Sequence, residues 1–276
     1  MNVTLENYFY SCGKNLMSDT TRSEQVGLRR FKSAFGVSPR ICSIVWFAIK
    51  GDLSQDIREE HLLWTLLFLK CYNSTDVNRA IVKCDAKTFR TKVWSVIDVL
   101  AFIKVILWEN RKINAVAGQT CFTSIDGVDF KIAEPSPFDP SFYSHKFKSA
   151  GLRYEIGLCL RTGEIVWAHG GFPCGRFPDL KIARDLFVEF LDEGERAVAD
   201  RGYQDGRYFL LPNANNKQRH ATIMSRHETI NKRLRHFKIL DCKFRHDKVK
   251  HIRCFHSVVN LVQLTIKHEE PLFSIF

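Results

Sequence analysis

The chain has 276 residues, 45% of them apolar, and a net charge of +11. That excludes a disordered tail and leaves room for two modest domains or one large one around a real core. The longest apolar run, Val93 to Trp108, is interrupted by Ser95, Asp98 and Lys104, and the first twenty residues lack the charged-then-apolar layout of an export signal, so a soluble protein without a membrane partner is expected. Nine cysteines, an odd number without a framework of secreted type, read as reduced intracellular thiols.

Up to about residue 115 the pattern is helical. Ser38-Pro39 predicts an N-cap followed by proline in the first turn, starting a helix through Ile41, Ile44, Val45 and Phe47 that stops at Gly51. A second helix is expected from about Asp56 to Cys71. Then come a short helix, a break at Cys84-Asp85-Ala86, and a long helix capped by Asp85. This spacing suits a helix-turn-helix that offers Lys87, Arg90 and Lys92 near the start of its second helix while Trp94, Ile97, Leu100 and Ile103 pack inward; plain packing of a helical bundle gives the same spacing. Asn114 to Thr120 is the linker candidate, which divides the chain into a helical region, 1–115, and a second domain, 116–276.

Beyond the linker the period changes from helix to strand. Phe122 to Ile132 reads as a strand carrying Asp126, and Leu152 to Leu160 alternates with Leu152, Tyr154, Ile156, Leu158 and Leu160 on one face. Thr162-Gly163 turns this strand into Glu164 to Trp167 as a hairpin. An amphipathic helix through Ile182, Leu186, Phe187 and Leu191 ends near Gly194. A short buried strand, Ala197 to Ala199, then delivers Asp200, and Tyr208 to Leu211 is a further strand. A helix over 223–240 puts Ile223, Ile230, Leu234 and Phe237 on one side and Glu228, Asn231, Lys232 and Arg235 on the other, and a last helix runs from about Val249 to Ile266. The order strand, hairpin, helix, strand, strand, helix is that of an RNase H-like core, so the expected fold is α/β: an RNase H-like mixed sheet with flanking helices, preceded by an all-α, helix-turn-helix-like region.

Acids fall on the first strand, the later strand and the late helix of this order. Taken singly, each has an ordinary structural explanation: Asp126 precedes Gly127 and Asp200 precedes Arg201-Gly202, both turn signals, and Ser225 to Glu228 matches a capping box. Together, on adjacent strands and a packed helix, three such carboxylates can hold Mg²⁺ or Mn²⁺, and a pair of ions would assist in-line displacement at phosphorus. Charge supports a polyanionic partner. From Arg201 to His256, fourteen Lys and Arg face four acids, a local +10 that is nearly the whole excess of the chain. Lys131, Lys146, Lys148, Arg153, Arg201, Arg226, Lys232 and Arg235 are the candidate grips on a DNA backbone, with Lys87 and Arg90 on the helical region. Cys242, His246, His251, Cys254 and His256 crowd together without the spacing of a zinc knuckle, and the histidines read as additions to a phosphate-facing surface.

The runs SIDGVDF, VADRGY and HETINKRLRHF, with LLWTLLFLKCY, DAKTFRTKVW, EPSPFDPSFYSHKFKSAGLRYEIG and HIRCFHSVVNLVQLTI, resemble the DDE superfamily transposases of the PIF/Harbinger type over roughly residues 60 to 268. The resemblance implies a metal-dependent DNA nuclease or transposase whose three acids map to Asp126, Asp200 and Glu228. It implies DNA as partner and residence in the nucleus, and many such elements depend on a separate DNA-binding partner protein; a homo-oligomer is compatible with it. GRFPD resembles the family's glycine-to-aspartate motif, but Asp179 equally suits a helix cap, and Asp129 should face away from Asp126, so both are left out of the expected metal site. A DNA-binding or complex-forming protein of transposon origin that no longer cuts is the alternative.

Overall fold

The structure, a computed structural model, describes residues 3–276. The chain forms two compact units: one takes the residues up to Ile103 with 234–242 and 253–265, the other takes 104–233, 243–252 and 266–276.

In the first unit, the helices begin where short polar side chains can satisfy free backbone N–H groups. After α1 (Val3–Leu16), α2 (Glu24–Phe35) starts behind Ser23, whose hydroxyl accepts from Val26 N, and α3 (Pro39–Ile49) starts behind Ser38, which accepts from Ile41 N. α4 (Glu59–Cys71) places Glu59 and Glu60 at its positive end and buries Leu62, Leu63, Leu66, Leu67 and Leu69. α5 (Thr75–Val82) and α6 (Ala86–Leu100) are separated by a tight break in which Lys83 adopts φ 56°, and the Asp85 carboxylate accepts from the N–H groups of Lys87 and Thr88. α6 buries Phe89, Val93, Val96, Ile97 and Leu100 and stops before Ile103. Lys92, grouped with the DNA-facing cations in the helix-turn-helix reading, is ion-paired with Asp56, whereas Lys87 and Arg90 are exposed.

In the second unit, β1 (Cys121–Lys131) is the centre of a mixed sheet. A two-residue strand, β2 (Tyr143–Ser144), pairs with the start of β3 (Ser149–Cys159). β3 runs antiparallel to β1, with Asp126 opposite Ile156 and Gly127 opposite Glu155. Gly163, at φ 75°, turns β3 into the antiparallel β4 (Ile165–Pro173). Next come α7 (Asp179–Asp185), a 3-10 turn over Phe187–Phe190, and β5 (Arg196–Val198), parallel to β1 on its other side. β6 (Phe209–Leu210) is parallel to β5. Six strands, antiparallel on one side of β1 and parallel on the other, give the RNase H-like α/β sheet expected. The helix expected through Leu191 is shorter than its pattern, because Leu186 leaves helical geometry (φ −134°, ψ −61°) and the turn after it drives Phe187 into the core.

Strand alternation sorts the two faces of this sheet. Ile125, Ala197 and Ala199 pack with Ala183, Phe187 and Phe209 on the α7 side, while Val198 packs with Leu160 and Ile223 on the side covered by α8 (Lys217–Arg235). Two later helices are α9 (Lys238–Asp241) and α10 (Lys248–His268). A single cut at residue 115 does not describe the units, because 234–242 and 253–265 group with the helical unit. Within it Ser257 Oγ donates to Ile97 O at 3.2 Å and Asn260 Nδ2 to Leu100 O at 2.9 Å. Among the described residues no helix is long and apolar enough to cross a membrane.

Candidate active site

β5 pairs with β1 only as far as Ser124 opposite Val198. Asp126 and Asp200 each lie two residues past that last rung; alternation along β1 assigns Asp126 to the face shared by Ser124 and Val198, and Asp200 follows the end of β5 where the chain turns. That face belongs to α8: Val198 packs on Ile223, the Ser124 hydroxyl lies 2.9 Å from His227 Nε2, and His220 Nε2 donates to Ala199 O at 2.8 Å. Glu228 is the residue after His227 and is exposed. The capping-box explanation of Glu228 falls away, since α8 starts at Lys217, eight residues before Ser225, and the Ser225 hydroxyl donates to Thr222 O in mid-helix.

The electrostatics of the site are those of carboxyls without enough counter-charge. Burial, then the charges of Asp200 and Asp179, push Asp126 up to about 7, against a smaller opposing effect of Lys146. Asp179, the first residue of α7, is also pushed up by burial, with Arg153 opposing. Its carboxyl rests directly on β1: a Cβ on Gly127 would lie 2.1 Å from Asp179 Oδ1. Asp129 faces Arg153, as alternation predicts. Burial pushes it up, but Arg153 Nε at 2.7 Å and the Ser144 hydroxyl at 2.9 Å outweigh burial and hold it below the usual range. Arg153 Nε also reaches Asp179 at 3.2 Å. Glu155, fully buried opposite Gly127, is pushed to about 9 by burial and then by Asp179, and accepts from the Tyr203 hydroxyl at 3.3 Å.

Asp126 on the α8 face and Asp179 and Glu155 on the α7 face thus act on one another electrostatically across β1, and the charge of Asp200 acts on Asp126 and Asp179. Asp200 also closes its own turn, accepting from Gly202 N at 2.7 Å. Asp126 and Asp200 offer carboxylate oxygens, and burial followed by the neighbouring carboxyls raises Asp126, a penalty a cation would reverse, so the pair fits a hard divalent ion such as Mg²⁺ or Mn²⁺. Among the described residues no three His, Cys, Asp or Glu side chains already stand close enough to enclose an ion.

A sequence profile described as DDE superfamily endonuclease matches residues 125–263, half of the chain. The chain belongs to the DDE superfamily endonucleases. No curated protein matches it, and no solved structure does. The matched span opens one residue before Asp126 and includes Asp179, Asp200 and Glu228.

For this superfamily member, the basic residues expected to hold DNA separate into two groups. Lys131, Lys146, Lys148, Arg201 and Lys232 are exposed. Arg226 is not a phosphate grip. It is 1% exposed, and its guanidinium donates to Leu160 O at 2.8 Å and Phe273 O at 2.6 Å, a buried charge dispersed over carbonyls. Arg153 is occupied by Asp129 and Asp179, and Arg235 is half-buried. Nor does His251 face phosphate: it is fully buried, its Nδ1 2.7 Å from the Tyr154 hydroxyl, with burial pushing the ring down to about 3. Cys254 is buried too, and no zinc cluster is found among the described residues.

Sequence reasoning weighed Asp179 and left it out, and did not single out Glu155 or Tyr203. The closeness of Asp179 to the strand makes Gly127 a testable support. Gly127→Ala is expected to expel the Asp179 carboxyl, destabilising the fold by about 1–3 kcal/mol and lowering nicking roughly 10-fold, measured by urea unfolding and plasmid relaxation. A variant indistinguishable from wild type in both would show that this contact is slack.

Proposed function

We propose that the chain is a transposon-derived DNA endonuclease of the PIF/Harbinger type, cutting phosphodiester bonds with Asp126, Asp200 and Glu228. The observation that carries this reading is the placement of Asp126 and Asp200 by neighbouring parallel strands, each two residues past the last rung joining β1 to β5. Asp126 and Asp200 would hold the metal, and Glu228 would join them from the helix covering the same face of the sheet. Mg²⁺ or Mn²⁺, as a pair of ions, supplies a polarised phosphate and an acidified attacking water. The carboxylates fix the attack in line, so that a water oxygen bonds to phosphorus as the bond to the 3′ oxygen breaks and that oxygen takes up a proton. Lys146, already felt by Asp126 and Asp179, is suited to a non-bridging phosphate oxygen, and Lys131, Lys148 and Arg201 to flanking phosphates. In a full transposase the freed 3′-OH would then attack target DNA, and the nucleus is the compartment where such a substrate is met.

The test is nicking of supercoiled plasmid in Mg²⁺ or Mn²⁺. Asp126→Ala, Asp200→Ala and Glu228→Ala are each expected to lower the rate by roughly 100-fold or more. Undiminished nicking by Glu228→Ala would remove the α8 acid from the site. A wild type that binds DNA and nicks in neither metal would instead support a silent, domesticated DNA-binding protein.

A further inference from the structure

Between β1 and β3 the chain makes an excursion over residues 132–148, beside the carboxyl group just described. It is well tied down. The Ser144 hydroxyl donates to Asp129 at 2.9 Å, Ala150 N donates to the Glu134 carboxylate at 2.9 Å, and Asp139 accepts from Ser141 N at 2.9 Å. Ser141 O receives the N–H groups of both Gly175 (2.9 Å) and Arg176 (3.1 Å), in the segment leading to Asp179. Pro135, Pro137 and Pro140 further restrict its backbone. On this fixed support Phe138 is 67% exposed.

A single exposed apolar side chain is ordinary. The excursion that carries it, and the segments around it, also hold cations set against rings. Lys131 Nζ lies 5.4 Å from the Phe147 ring centre, Lys248 Nζ 3.8 Å from that of Phe142, and the Arg176 guanidinium 5.5 Å from that of Phe177. Rings and cations therefore alternate around the excursion, which also carries Lys146 to the carboxyls. Positive charge complements a phosphate backbone, and an exposed aromatic ring complements the face of a base that has left its stack. A folded protein partner would leave these cations facing a surface of unspecified charge.

We propose that Phe138 stacks against an unpaired base of the DNA, so that the strand is cut where the duplex is locally opened. This rests on the nuclease reading for the cut itself, but the contact with the base can be measured without cleavage. In EDTA, duplexes carrying 2-aminopurine at successive positions around the nick should brighten at one or two positions when wild-type protein binds. That signal should vanish with Phe138→Ala and return with Phe138→Trp, at unchanged melting temperature. In Mg²⁺ or Mn²⁺, Phe138→Ala should lose about 10-fold in kcat/KM on intact duplex and less than about threefold on a substrate already unpaired at that position. Phe138→Ala matching wild type in both the fluorescence and the intact-duplex rate overturns the inference, as does a wild type that binds no DNA. A Phe138-dependent signal from a protein that never nicks would leave the stacking on an unpaired base standing and overturn the nuclease reading alone.

Discussion

Asp126→Asn is expected to abolish nicking and, in EDTA at pH 8, to make the protein more stable than wild type. In the folded chain the Asp126 carboxyl keeps its proton up to about pH 7, whereas its ordinary value is 3.8. The native state therefore binds a proton that the unfolded chain has already released across that window, and stability is fully present below about pH 4 and lost as pH rises through 7. Glu155 acts in the same direction over a wider window, from its ordinary 4.5 to about 9. Metal-free wild type should thus lose stability steadily from pH 5 to pH 9. An asparagine cannot ionise, and it keeps an oxygen for the Gly127 N–H that Asp126 accepts. Allowing for the partial solvent access of the site, its gain at pH 8 should be about 2 kcal/mol, shrinking towards zero at pH 4. Millimolar Mn²⁺ should raise the melting temperature of wild type at pH 8 and leave Asp126→Asn nearly unmoved. Thermal unfolding at three pH values with and without metal checks all of this. A variant less stable than wild type at pH 8 would mean that burial and the neighbouring carboxyls do not raise Asp126 as described.

How much of this was legible beforehand depended on whether the deciding interaction was local. Ser38-Pro39 and Asp85 announce their helices because a cap needs only residues three or four apart, and the alternation from Leu152 to Leu160 is a property of one strand. Asp126 and Asp200 stood out as candidates because element order alone puts their strands side by side. Asp179 could not be separated from a helix cap, since what distinguishes it is the bare backbone of Gly127 fifty-two positions earlier. Glu155 sits on the face of β3 opposite its apolar row and therefore reads as a solvent residue, until α7 and Tyr203 close over it. Arg226 misled for the converse reason. Within a basic run it resembles surface, but the carbonyls of Leu160 and the distant Phe273 give a buried guanidinium enough acceptors. The placement of residues 253–265 with the helical unit likewise depends on partners on α6, some 160 positions away in sequence.

The second large effect concerns the support of β5. Arg111→Met is expected to destabilise the protein by about 3–5 kcal/mol, because it abandons a carboxylate deep in the fold. Glu195, immediately before β5, has a side chain only 1% exposed; Arg111 Nε and Nη2 each donate to it at 3.0 Å in a bidentate pair, and Asp192 N adds a bond at 3.1 Å. The guanidinium also lies 4.4 Å from the Trp108 ring centre. After the substitution the backbone N–H of Asp192 would be the remaining described hydrogen bond to that carboxylate. Replacing both partners with apolar groups removes the stranded charge, so Arg111→Met with Glu195→Leu should recover most of the loss. Urea midpoints of the wild type and of the single and double variants decide it: a single variant within about 1 kcal/mol of wild type, or a double variant no better than the single, would show that the pair is not what holds this segment. Since the strand that Glu195 anchors ends two residues before Asp200, the single variant should also lose nicking activity at a lower temperature than the double.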